Sequence, residues 1–205
     1  SSFKRPVNPK PIPNQNLHGL SQVDFLIITH PQFAAEAERL ATFHRNHYQQ
    51  SVHVVAIGDI YNEFGSGAQD PTAIRDFVKM FYDRGQAGNL PVIKYVELIG
   101  DGSYDYKHIQ TPIGSNYIAT YQSRGSQVPT SSYCSDDYYG FLDDGEGMWG
   151  EGAATASQET NPLFVAEGDV SLVDHGLDVS VGRLPVSSIG EAQDMVNKII
   201  AYHED

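Results

Sequence analysis

The sequence predicts a three-layer α/β fold, a parallel sheet with helices on both faces, interrupted by a long insertion rich in Tyr, Gly and Asp. Three observations carry this. Apolar runs with β-branched residues recur at 23–29 ("VDFLIIT"), 51–57 ("SVHVVAI") and 92–100 ("VIKYVELIG"). The first is continuous rather than alternating, as in a strand covered on both faces. Segments with helical spacing separate them, and strand–helix–strand–helix–strand at this spacing implies right-handed parallel crossovers.

The elements follow in order. Residues 1–20 are rich in Pro and Asn. Proline fixes φ and removes donors, so the segment reads as an extended linker from a preceding domain. After the first strand, Phe33, Ala37, Leu40, Ala41 and Phe43 recur near helical spacing, and Pro31 suits an early helical position. In "DPTAIRDFVKMFYDRG", Asp70 is the expected N-cap, Pro71 the first helical residue and Gly85 the stop. From Ser103 to Asp178 the chain turns to Tyr, Ser, Gly and Asp. There "NYIATYQS" and "DDYYGFLDD" suit a short strand pair, and "EGMWGEGAATASQETNPLF" a mobile surface loop. Order returns with a last strand at Leu177–Val186. A helix follows from Ser187 or Ser188, supported in its first turn by Glu191, with Ile189, Met195, Val196, Ile199 and Ile200 on one side. The chain stops at this helix, which suggests truncation.

Composition narrows the function. The 205 residues suit one domain or a large subdomain, and a 40% hydrophobic fraction supports a core. The formal net charge is -13, with scattered basic residues. A nucleic-acid binder concentrates them, so nucleic acid is set aside. No apolar run is long enough to span a bilayer, so no membrane insertion by this segment is expected. Cys134 is the only cysteine. A nucleophile needs a base and an oxyanion donor, and the sequence places neither beside it; a structural thiol is the plainer reading. The eight histidines form no metal pattern: His44 and His47 share a helix face but lack a third ligand.

The third strand ends on "GDGSYD", with Asp101 and Asp105 in Gly-flanked turns. Ligands of open α/β sheets bind at the carboxyl ends of the strands. Asp101 is therefore a phosphate acceptor, a cation ligand or a turn residue. The first reading needs an acidic magnesium site after the first strand, where "THPQ" stands instead. The second draws on Asp101, Asp105, Asp136, Asp137, Asp143 and Asp144 as oxygen donors. The third makes these acids Asx turns on a solvated rim.

Five blocks in one order, "VDFLIITHPQFAAEAERLATFHR", "IYNEFGSGAQDPTAIRDFVKMFYDR", "YVELIGDGSYDY", "VPTSSYCSDDYYGFLDD" and "DVSVGRLPVSSIGEAQDMVNKIIAYHE", resemble the gingipain family of cysteine endopeptidases. "NQNLHGL" and "IYNEFGSG" favour its type IX secretion sortase branch. The resemblance implies a caspase-like or flavodoxin-like sheet, and makes residues 21–205 the N-terminal subdomain of the peptidase domain. It implies a parent enzyme on the outer-membrane cell surface of a Gram-negative bacterium. That enzyme cleaves C-terminal sorting signals from secreted cargo, with secretion-system components and its own downstream catalytic subdomain as partners. The family's catalytic His, in Gly-His-Gly, and its nucleophilic Cys lie beyond the last helix here. No Gly-His-Gly occurs in this sequence and Cys134 lies upstream, so no catalytic residue carries over. The resemblance also implies calcium, with Asp101, Asp136 and Asp137 as ligands. Arg183 reads as an interface or structural residue whose guanidinium can clamp Asp101 or Asp137 bidentately. The alternative function is a calcium-stabilised, non-catalytic interaction module of a surface protein.

Overall fold

The computed structural model describes residues 11–88, 90–105, 116–122, 133–144 and 176–204. Among the described residues four parallel strands form the sheet: β1 (Phe25–Thr29), β2 (Val52–Ala56), β3 (Tyr95–Ile99) and β6 (Ser180–Leu184), in spatial order β2-β1-β3-β6. The register pairs Phe25 with Val52 and with Tyr95, and Tyr95 with Ser180. All five residues of central β1 are buried, which explains its unbroken apolar run.

Side chains alternate between the two faces. Leu26, Ile28, Val96 and Leu98 pack with Ile57 and Ile60 of α2 (Ile57–Phe64) and with Ile74, Phe77, Val78 and Phe81 of α3 (Pro71–Ala87). Phe25, Ile27, Ile99 and Leu184 pack with Ala37, Leu40 and Ala41 of α1 (Ala34–His47) and with Ala192 and Val196 of α4 (Ile189–Glu204). The three expected layers are present, and the fold is consistent with a caspase-like sheet. No helix among the described residues is long and apolar enough to cross a membrane.

The helix ends follow local chemistry. The Asp70 side chain accepts from Thr72 N at 2.9 Å, and Pro71 opens α3. Glu191 N donates to Ser188 Oγ, and the Glu191 carboxylate accepts from Ser187 N at 2.7 Å, so Ser188 caps α4. Pro31 opens a 3-10 turn, Pro31–Phe33, that leads into α1.

Several expectations are corrected. Gly85 does not stop α3, which runs to Ala87. It lies buried against the following segment, where a Cβ would stand 2.9 Å from Val92 Cα. Ile189 is half exposed rather than on the packed side of α4. The strand pair exists, but it joins β4 (Tyr121–Gln122) to β5 (Cys134–Ser135); Asp137–Tyr139 form a 3-10 turn. The eight-residue α2 has no counterpart in the sequence-based expectations. The expected loop at 146–164 lies outside the described residues.

The lead-in is more than a linker in its described part. Leu17 is buried in the core. The Glu63 carboxylate on α2 accepts from Leu17 N and His18 N, both at 2.9 Å, from Gln15 Nε2 at 3.1 Å and from His18 Nδ1. Arg84 donates to the carbonyls of His18 and Leu20. Partial burial opposes ionisation of Glu63, but these donors outweigh it and hold its pKa down to about 2. A depressed carboxyl stabilises the fold above its unfolded value of 4.5, and that contribution is lost as pH falls towards 2. Residues 15–20 should therefore become protease-sensitive between pH 4.5 and 2, before the helices melt. Limited pepsin digestion followed by mass spectrometry checks this, and Glu63→Gln should show the same nicking at a higher pH.

Candidate functional site

The carboxyl end of the sheet is organised by Arg183, which β6 delivers under the loops that follow β3. A guanidinium has five N–H donors in a fixed planar fork. All five are used. Nε and Nη2 grip Asp136 Oδ2 and Oδ1 at 2.6 and 2.7 Å. Nη1 donates to Gly100 O at 2.7 Å and Ile118 O at 3.1 Å, and Nη2 donates to Ala119 O at 3.2 Å. Tyr139 Oη, fully buried, donates to Ala119 O at 2.6 Å. One cation thus ties the strand end at residue 100, the return segment at 118–119 and the turn at 136 into one unit. The bidentate clamp expected of Arg183 is present, but its partner is Asp136 and not Asp101 or Asp137.

Asp101 works through its backbone and a turn bond. Its N–H donates to Val186 O, its carbonyl accepts from Tyr117 N and Ile118 N, and Oδ1 accepts from Gly102 N at 2.9 Å. Asp105 is buried, with its N–H on Ser103 Oγ. Asp137 is exposed and opens the 3-10 turn, with its N–H on Ser135 Oγ. The Asp101, Asp136, Asp137 donor set does not fit a calcium ion as arranged: both Asp136 oxygens are spent on Arg183. No group of three or more His, Cys, Asp or Glu suited to a metal gathers among the described residues.

A second arginine anchors the same insertion. Arg75 on α3 is buried, donates from Nε to Phe141 O at 2.7 Å and lies over the Tyr138 ring. Cys134 is exposed at β5. Desolvation and the nearby Asp136 carboxylate both push its thiol above the ordinary value, the opposite of what a nucleophile needs. His44, His47 and His203 meet around Phe43 and Tyr48 instead of standing alone in solvent, and Tyr48 Oη lies 2.6 Å from His203 Nδ1.

Glu97, in the middle of β3, was not singled out by the sequence reading, although an acid inside "YVELIG" is a signal. Its carboxylate lies over Gly182, where a Cβ would stand 2.6 Å from Oε2. Oε1 is out of solvent and has no hydrogen-bond partner. Burial pushes the carboxyl up to about 7, against the attraction of Arg183 and with the repulsion of Asp136. A raised carboxyl binds its proton more tightly in the folded state. Stability is then full below pH 4.5 and falls as pH rises through about 7, by about 3 kcal/mol for a shift of this size. Urea titrations at pH 5 and pH 8 should show that loss, and Glu97→Gln should flatten it.

Peptidase family C25 matches residues 18–205. The chain belongs to peptidase family C25, the gingipain family. The C25 chain is also similar to the crystal structure of dimeric latent PorU from Porphyromonas gingivalis, at 33% identity and a TM-score of 0.71. That match covers 95% of this chain and 17% of the PorU chain, so the C25 chain spans about a sixth of its solved relative. No curated protein matches it.

Proposed function

We propose that this C25 chain is the N-terminal subdomain of a gingipain-like cysteine endopeptidase of the PorU type. In this reading the whole enzyme cleaves C-terminal sorting signals from secreted cargo at the surface of a Gram-negative cell. The downstream part of the protein supplies the Cys–His chemistry, and this subdomain shapes and supports the cleft.

The observation that carries the scaffold role is the saturation of Arg183. At the end of the sheet where an open α/β fold places its ligands, the strongest donor is spent on three loop carbonyls and Asp136. Such a unit holds loops in place and offers no free charge to a substrate. The raised thiol of Cys134 agrees, because it leaves little thiolate near neutral pH.

The test is peptidase assay of the full-length protein with a peptide spanning a C-terminal sorting signal. Cys134→Ser should leave kcat/KM within twofold of wild type. Loss of turnover in Cys134→Ser would place the nucleophile in this subdomain and sink the scaffold reading. A full-length protein that is folded but inert towards sorting signals would sink the sortase reading.

A further inference from the structure

We infer that His47 and His203 hold a late divalent transition metal, of the zinc, nickel or copper kind, between the carboxyl ends of α1 and α4. The inference stands apart from the proposed peptidase role.

The two helices set up the place. Arg39 of α1 donates to Asn197 Oδ1 and Gln193 O of α4, and further along both helices Tyr48 Oη meets His203 Nδ1. The helices therefore run side by side in the same direction and finish together. Each carboxyl end carries a partial negative charge, so the pair of ends favours a cation. Arg45, in the last turn of α1, is committed elsewhere, to Glu38 and Val52 O.

What gathers at these ends is imidazole. His44 and His47 lie in the last turn of α1 and His203 in the last turn of α4. His47 stacks on Phe43 with ring centroids 5.0 Å apart, and its ring stands 6.5 Å from that of His203. Zinc–nitrogen bonds of about 2.0–2.1 Å place two imidazoles that share an ion roughly 5–6 Å apart, centroid to centroid. Both histidines are exposed, so an ion can reach them from solvent and a small side-chain rotation closes the difference.

The hydrogen bonds prepare the nitrogens. A ligand histidine ties one ring nitrogen to an oxygen, which fixes the ring and leaves the other nitrogen for the metal. His203 Nδ1 is tied to Tyr48 Oη at 2.6 Å, leaving Nε2 for the ion. His44 Nδ1 is tied to Gln50 Oε1 at 2.8 Å, and this half-buried ring backs the pair. Burial lowers the His44 pKa, against the bond to Gln50 and together with the repulsion of His203 and His47, so His44 adds little positive charge near neutral pH. Imidazole suits zinc, nickel and copper, whereas calcium and magnesium seek oxygen. Two protein ligands leave the remaining positions to water, so the ion is exchangeable. Bound, it staples the last turn of α4 to α1.

Calorimetric titration of Zn2+ into the full-length protein, with its thiols alkylated, tests this. Wild type should bind one more ion than His203→Gln, and His47→Gln, on the other helix, should lose the same ion. Both side chains are exposed, so neither substitution opens the core. Tyr48→Phe should keep the ion but bind it about tenfold more weakly. With Cu2+ in place of zinc, electron paramagnetic resonance should show a species coupled to two imidazole nitrogens in wild type and in neither histidine variant. Zn2+ should also slow amide exchange in peptides covering 196–204 of wild type alone, a readout that needs no turnover. Equal zinc stoichiometry in wild type and both histidine variants overturns the site. Loss of the ion from only one of them overturns its sharing between the helices. A Tyr48→Phe affinity equal to wild type overturns the role given to Tyr48.

Discussion

Arg183→Lys should lower the melting temperature of the domain by roughly 6–12 °C, the equivalent of about 3 kcal/mol. The side chains of Arg183 and Asp136 are only 11% and 24% exposed, so the pair is poorly screened by water. Lysine keeps the charge but offers three donors from one point, against five in a planar fork. It can satisfy Asp136 or the carbonyls of Gly100, Ile118 and Ala119, but not all of them. Carbonyls left without donors in the interior each carry a desolvation cost of about 1–3 kcal/mol. Asp136→Asn should cost less, because an amide still accepts one bond. The double variant should be less destabilised than the two losses added together, since the residues share one interaction. Thermal denaturation of all four proteins measures this. A lysine variant that melts with wild type would show that the fork does not hold the loops together.

Gly100→Ala should be of similar size, again about 3 kcal/mol, by a different route. Gly100 has φ +145°, where side-chain-bearing residues are strained. A Cβ there would also stand 2.8 Å from Tyr117 Cβ, inside contact distance. Tyr117 is itself fixed by Oη donating to Ser187 O and by its N–H on Asp101 O. Relief would displace the Asp101 turn and the carbonyl that Arg183 binds. The expected readout is a lower urea midpoint together with faster exchange at Tyr117 and Ile118. An unchanged midpoint would mean the turn after β3 is looser than its hydrogen bonds suggest.

Much of this is legible in the sequence. The three apolar runs and the Asp70–Pro71 cap become strands and a helix because β-branched apolar sequence and local capping are written in neighbouring residues, although only β1 is buried along its whole length. The Arg183 clamp was legible as chemistry but not as a pairing. Asp136 and Asp137 are adjacent, and which one meets the fork depends on how a 3-10 turn closes after a segment without periodicity. Gly85 reads locally as a helix stop, whereas the close approach of Val92 that demands it is tertiary. Helix α2 starts on the residue after β2, and Gly58 and Asp59 in its first turn read locally as a turn, which hid its start. Glu97 stood in plain view within an apolar strand, yet its meaning depends on Gly182, a residue far along the chain.

The strap at residues 15–20 has a mechanical consequence. Tension applied at residue 11 reaches Gln15, Leu17 and His18 before it reaches β1. It is met there by Glu63 and Arg84, side chains on two helices that are packed together. The load is thereby shared over several bonds and diverted into the α2–α3 layer, leaving the central strand unstretched. Whatever pulls on that end of the chain pulls on the helical flank, and the parallel sheet with its Arg183 keystone is shielded from the force.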